Sequence, residues 1–383
     1  MELFAAQWSA ASGWSEPLPA VDGPHTLVLV FAGSAALAEP GIADVVSAYP
    51  TSVVTGCSTA GEIQGEQVHD DTVTVSIARF SDTTLTSASA PMGAQDQSRA
   101  CGAQVGRRLR ELDGDLRAAF VLSDGLHING SDMTDGLAAE VGDGVAITGG
   151  LAGDGDRFGS TWVLVDGEPR EGWIAAVGLS GPHLQVGHGS RGGWDIFGPE
   201  RLVTRAEGNV LFELDGAPAL ALYKTYLGDR AEGLPATALL FPLAVRAPGA
   251  TEEGVVRTIL AIDEEAQTMT FAGDVPEGSF AQLMRANLDR LIDGAHEAAL
   301  ATVAGAASTA PTLAIAVSCV GRRLVLGART EEELEVVQAA LGPQTSLTGF
   351  YSYGEISPAT GPCALHNQTM TLTTLGERSV GEG

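Results

Sequence analysis

A nine-residue stretch occurs twice in this chain, and internal duplication constrains a fold more than any single motif does. Residues 55–63 read TGCSTAGEI and residues 348–356 read TGFYSYGEI, so Thr55, Gly56, Gly61, Glu62 and Ile63 match Thr348, Gly349, Gly354, Glu355 and Ile356 at a constant offset of 293. Downstream, HDDTVTV at 69–75 aligns with HNQTMTL at 366–372, which sets His69 on His366 and Thr72 on Thr369. A weaker third copy, TGGLAGD at 148–154, puts Asp154 in the place of the glutamate.

An apolar run stands ahead of each copy: TLVLVFAGS at 26–34, AAFVLSDGL at 118–126 and TLAIAVSCV at 312–320. Each run is followed by a helix-like stretch, clearest in TEEELEVVQAAL at 330–341, where Thr330 can cap, Glu333 sits three later, and Leu334, Val337 and Leu341 recur at helical spacing. A second strand then ends in the glycine turn, and an alternating strand returns from it. The unit is therefore β-α-β-turn-β. It predicts a mixed α/β fold with mixed parallel and antiparallel sheets and packed helices, the repeated units forming two related halves. Two helical patterns lie outside the unit, at 97–116 and at 278–307, the latter the longest. Between the second and third copies the chain reads as strands with turns at Asp166-Gly167 and Gly181-Pro182, and its glycine density places a domain seam near 190–200.

With 383 residues, 44% of them hydrophobic, the chain is long enough for two domains or one large body built from repeats. Aspartate and glutamate number 48 against 21 lysines and arginines, and the net charge of −27 argues against nucleic acid and anionic membrane surfaces as partners. The apolar runs are far shorter than a membrane helix needs and the N-terminus lacks a basic leader pattern, so no membrane insertion and a cytoplasmic location are expected. The cysteines, Cys57, Cys101, Cys319 and Cys363, form no CxxC pair, and no histidine spacing forms a metal motif.

Several residues in and after the repeated turn carry chemistry. Glu62 and Glu355 suit either of two roles: accepting N–H groups from a neighbouring turn, or binding the ammonium group of a ligand. Tyr351 and Tyr353 are particular to the C-terminal copy, where with Gly354 and Glu355 they suit a cation with an apolar body, or else cover the domain seam. His366 and Asn367 place polar side chains on the return strand, as ligand contacts or as tied-down structural groups. Asp154 lies among glycines whose N–H groups can form an anion nest. A nucleophile and base, Cys57 with His69 or Ser352 with His366, is the enzymatic alternative, of no recognisable reaction class, and it lacks a third member.

The segments GCSTAGEI, ITGGLAGD, VTRAEGNVLFELDGAPALALY, SCVGRRLVLG and GFYSYGEISP, followed by CALHNQTMTLTTL, together resemble a FIST protein with N-terminal and C-terminal FIST domains, in its stand-alone form. The resemblance runs from about Leu27 to Leu375 and implies a FIST N-terminal domain at 26–195 and a FIST C-terminal domain at 196–376. An N-terminal extension at 1–25 and a tail at 377–383 flank them. It implies a cytoplasmic sensory protein that binds a small ligand, amino acids among the proposals. Such a protein would signal to a two-component or cyclic-di-GMP partner such as a histidine kinase or cyclase. One branch of the family senses nitric oxide through haem b, for which His366 or His188 would be the axial ligand to test.

Overall fold

The computed structural model describes residues 1–34, 36, 40–93, 97–234, 236–249, 254–303, 311–358 and 363–378. Each apolar run forms the central strand of its own sheet. Thr26–Gly33 pairs in parallel with Val53–Thr59, Ala118–Ser123 with Ala146–Leu151, and Thr312–Cys319 with Thr345–Ser352. On the other side of each central strand lies an antiparallel return strand, Val73–Arg79, Trp173–Ser180 or Met370–Glu377. One more antiparallel strand follows it, Glu2–Ser9, Thr84–Pro91 or Leu184–Arg191, so three sheets share one strand order. Residues 2–9, within the stretch set apart by sequence as an extension, are thus an integral strand of the first sheet.

The Thr-Gly pair of the repeat has a steric cause. A Cβ on Gly56, Gly149 or Gly349 would stand 2.0, 1.9 or 1.8 Å from the carbonyl oxygen of Val30, Val121 or Ala316 on the adjoining central strand. No side chain fits there.

After its turn, each unit leaves its own sheet and joins another. Glu62–Gln64 pairs with the third sheet (Phe350↔Glu62), Gly354–Pro358 with the second (Glu355↔Gly150) and Val163–Val165 with the first (Val163↔Cys57). Each crossing strand doubles back as a hairpin, and in one of them Asp166 and Gly167 both have positive φ, as a tight two-residue turn requires. The repeated turn is thus the point where the chain changes sheets.

The three sheets close around a common core of Leu29, Phe31, Phe120, Leu122, Ile315, Val317 and Phe350, with the Phe31 and Phe350 rings 4.8 Å apart. Helices cover the outer faces. α1 (Pro40–Ala48) packs on the first sheet through Ile42 and Val45. α2 (Ser98–Leu112) and α3 (Gly130–Val141) cover the second through Val105, Leu109 and Leu137. Burial on both faces explains why TLVLVFAG is apolar without alternation.

The third unit carries an insertion. After Arg191 the chain builds a nine-stranded sheet with its own core, Val203, Leu211, Tyr223, Met269 and Phe271 among it, that includes α4 (Ala219–Leu227). It returns through α5 (Leu288–Val303), which packs beside α7 (Thr330–Leu341) on the third sheet, with α6 (Val320–Leu326) preceding α7. The helix expected over 278–307 is shorter than its pattern: Phe280–Ala286 is a strand, paired with Leu243–Arg246, and residues 304–307 lie outside the described residues. Pairing across the insertion overrides the local helical propensity of FAQLMRA. Glu333 does not complete a capping box. It is fully buried and pairs with Arg322, while the Thr330 hydroxyl donates to the Gly327 carbonyl at 2.6 Å.

Candidate functional site

Glu62 and Glu355 occupy matching places, each fully buried and each clamping the residue just ahead of a return strand. The Glu62 carboxylate accepts from the Thr72 N–H at 3.0 Å, from its hydroxyl at 2.8 Å, and from the Thr59 hydroxyl. The Glu355 carboxylate accepts from the Thr369 N–H and hydroxyl, both at 3.0 Å, and from the Ser352 hydroxyl at 2.8 Å. Burial pushes both carboxyls up to about 7, against the opposing pull of these hydrogen bonds. His69 and His366 stand across the hairpin ladder from them.

The surroundings of the two glutamates differ. The inserted domain covers the C-terminal hairpin: the buried Arg257 guanidinium donates to the Leu365 carbonyl at 3.0 Å and the Asp274 carbonyl at 2.9 Å, and Asn129 at the start of α3 donates to the Asp274 carboxylate at 2.7 Å. No such cover lies over Glu62 among the described residues. There a cleft of about 520 Å³ opens, walled by Thr59, Ala60, Gly61 and Glu62 of the first unit, residues 155–157 of the second, and α6 with the start of α7 from the third.

Charge of both signs meets in this cleft. Arg323 reaches across from α6 to the Asp70 carboxylate, with N–O distances of 2.7 and 2.6 Å, and donates to the Ala60 carbonyl at 2.6 Å. That bond holds the Asp70 carboxyl below its ordinary value. Arg157 enters from the second unit, its Nε donating to Asp154 at 2.9 Å. Asp71, Asp156 and Glu331 also line the cleft, so carboxylates outnumber guanidiniums there.

The tyrosines stand behind this surface. Tyr351 is fully buried, its hydroxyl donating to Glu333 at 2.7 Å, and the cation over its ring is the chain's own Arg323, 5.5 Å from the centroid. Tyr353 stacks on Phe158 at 4.5 Å and donates to the Gly155 carbonyl at 3.1 Å, which fixes the loop that forms the cleft's second wall. Gly354 is buried between Leu151 and Leu365. The nest at Asp154 is filled from within: its own carboxylate accepts from the N–H groups of Gly159 and Ser160 at 3.2 and 3.3 Å and from the Ser34 hydroxyl. Burial raises that carboxyl less than these donors and Arg157 lower it.

In the second unit it is Asp124 that takes the part of the clamping glutamates, accepting from the Gly172 N–H at 2.9 Å ahead of the return strand. Sequence alignment did not reveal it because Asp124 follows the central strand rather than the turn. Glu377 was also missed: it accepts from the Ser81, Asp82 and Thr83 N–H groups, and although burial opposes the charge, these bonds hold its carboxyl at about 2.

Asn367 is buried under the insertion, its Oδ1 3.4 Å from the Thr258 N–H and its Nδ2 without a partner among the described residues. His366 lies with Nε2 3.0 Å from the Ser357 carbonyl, and burial lowers its pKa more than that contact raises it. Burial likewise lowers His188, half-buried on Leu184–Arg191, against a bond to the Pro358 carbonyl. Neither histidine lines the cleft, and each has a backbone carbonyl at its imidazole. Cys57 is fully buried, its thiol pushed up by burial and then by the Glu62 charge, and the Ser352 hydroxyl is committed to Glu355.

Three sheets exchanging hairpins around one core, with a charged cleft where all three units meet, define a mixed α/β protein. Residues 26–217 match the FIST N domain and residues 219–358 the FIST C domain, and the chain belongs to the FIST family. FIST domains are associated with sensing and signal transduction. Among curated proteins, the chain is 29% identical over 240 residues to the uncharacterized protein MT0656 of Mycobacterium tuberculosis. It is 27% identical over 241 residues to the uncharacterized protein Mb0898c of Mycobacterium bovis. The match spans 60% of this chain and 60% of each relative's length. A crystal structure of cyanuric acid hydrolase from A. caulinodans aligns over 92% of this chain and 90% of its own, at 11% identity and a TM-score of 0.32, too distant to bear on function. No helix among the described residues is long and apolar enough to cross a membrane.

Proposed function

We propose that the chain is a sensory protein whose ligand is a small ammonium-bearing molecule, amino acids first, held in the cleft between the Thr59–Glu62 turn, the 155–157 loop and α6. The observation that carries this reading is the meeting of Arg157 and Arg323 with Asp70, Asp71, Asp156 and Glu331 in one cleft of about 520 Å³, a volume suited to a small ligand. An amino acid's carboxylate would meet a guanidinium and its ammonium group the surplus carboxylates. Tyr351 and Tyr353 serve as the layer that positions Arg323 and the Gly155 loop, and Glu62 closes the floor. Occupancy would pull residues from all three units together, and the signal would pass to a two-component or cyclic-di-GMP partner.

Thermal-shift screening of amino acids and small amines is the first test. Raised melting temperatures are expected for a subset of amino acids, and the rise should vanish in Asp156→Asn and Arg157→Gln. A screen with no stabilising compound, or stabilisation that both variants retain, would refute the reading.

A further inference from the structure

On the far side of α6 lies a second groove, of about 600 Å³, between the inserted domain and α6. Its walls are aromatic and aliphatic: Phe197, Tyr226, Leu240, Phe241, Leu324 and Val325. Phe197, Leu240 and Leu324 are 39%, 37% and 44% exposed, so three of the chain's exposed large apolar side chains gather at one place. Scattered apolar exposure is ordinary; a gathered patch marks a surface that is covered by something else.

Two guanidiniums frame this patch. Arg230 lies over the Phe241 ring at 5.2 Å and Arg285 over the Phe197 ring at 5.7 Å. Neither makes an ion pair among the described residues, although most of the other arginines do, such as Arg201 with Asp215, Arg246 with Glu200 and Arg290 with Asp195. In a chain with 48 acidic and 21 basic residues, two arginines left without carboxylates at one groove are an unmet electrostatic demand. Both guanidiniums sit against an aromatic ring on side chains that remain exposed.

We infer that this groove docks a segment of a partner protein that combines leucine or aromatic side chains with aspartate or glutamate. The apolar side chains would fill the space between Leu240 and Leu324, and the carboxylates would meet Arg230 and Arg285. Aromatic residues and arginine are also the side chains most enriched in the energetic centres of protein interfaces. The net charge of −27 discourages acidic segments over the rest of the surface and so sharpens selection for this place. The groove shares α6 with the cleft: Arg323 and Leu324 line one, Leu324 and Val325 the other. The docking role does not depend on the cleft's ligand and is tested without it.

The test pans a random peptide display library on the full chain, then measures synthesised, fluorescein-labelled hits by anisotropy. Two variants serve as comparisons: the double charge reversal Arg230→Glu with Arg285→Glu, and Leu324→Ser. All three sites are on exposed side chains, and unchanged melting temperatures confirm folding. Enriched peptides should pair acidic with apolar residues and lose on the order of tenfold in affinity, or more, in both variants. No enrichment, enrichment of basic peptides, or hits that bind the double variant equally would overturn the proposal. So would displacement of the hits by sodium dodecanoate at concentrations far below its micelle threshold, which would assign the groove to small amphiphiles. A dimer in sedimentation that Leu324→Ser dissociates would also overturn it, assigning the patch to a second copy.

Discussion

Glu62 and Glu355 make a prediction about stability that runs opposite to the usual behaviour of carboxylates. Burial pushes each from the ordinary 4.5 up to about 7, so the folded state holds a proton that the unfolded state has already released. Stability contributed by each group is therefore complete below pH 4.5 and declines as pH rises towards 7, then levels off. The difference between the two values corresponds to about 3 kcal/mol per group. Glutamine keeps the hydrogen bonds while removing the titration: its carbonyl can accept from the Thr72 or Thr369 N–H and hydroxyl, and its amide can donate to the Thr59 or Ser352 hydroxyl. Urea denaturation at pH 5 and pH 8 measures the effect. Each of Glu62→Gln and Glu355→Gln should reduce the loss of stability between these pH values by about 2–3 kcal/mol relative to the unsubstituted chain, and the double variant by about the sum. Identical pH dependence in the wild type and both variants would refute the claim that burial governs these groups.

Three further outcomes are expected. Tyr351→Phe removes a donor from the buried Glu333 carboxylate and should cost about 1–3 kcal/mol in urea denaturation at neutral pH. Gly349→Ala forces a Cβ against the Ala316 carbonyl and should destabilise by more than about 3 kcal/mol or prevent soluble expression, as should Gly56→Ala and Gly149→Ala. Arg257→Met strips the buried donor from the Leu365 and Asp274 carbonyls, and limited proteolysis should then cut the inserted domain faster while the three-sheet body resists.

The parts of this structure that local sequence encodes were legible. Parallel pairing follows from strand-helix-strand order, the bounds of α7 match its apolar spacing, and Asp166-Gly167 marks a hairpin by its need for positive φ. The glycine turn was visible as a motif, but nothing local states that the chain changes sheets there. The pairing of Glu62 with Phe350 joins segments about three quarters of the chain apart, and an edge strand reads the same whichever sheet receives it. For the site, the carboxylates of the turns were found, whereas Arg323, Asp70 and Arg157 were not. Arg322 and Arg323 are adjacent and chemically alike in sequence, yet one is fully buried against Glu333 and the other faces the cleft, a division set by the helix turn on which they sit. The insertion explains the remaining asymmetry: it buries the surroundings of Glu355, and the cleft stays open at Glu62, the copy with the plainer sequence.

The central claim, that the cleft at α6 is a ligand site, is tested most directly by isothermal titration of each stabilising amino acid into the wild type, Arg157→Gln and Asp156→Asn. The account predicts one site per chain in the wild type and an affinity lower by on the order of tenfold or more in each variant, the usual consequence of removing one partner of a charge-assisted bond. Binding of equal affinity in all three proteins would contradict it.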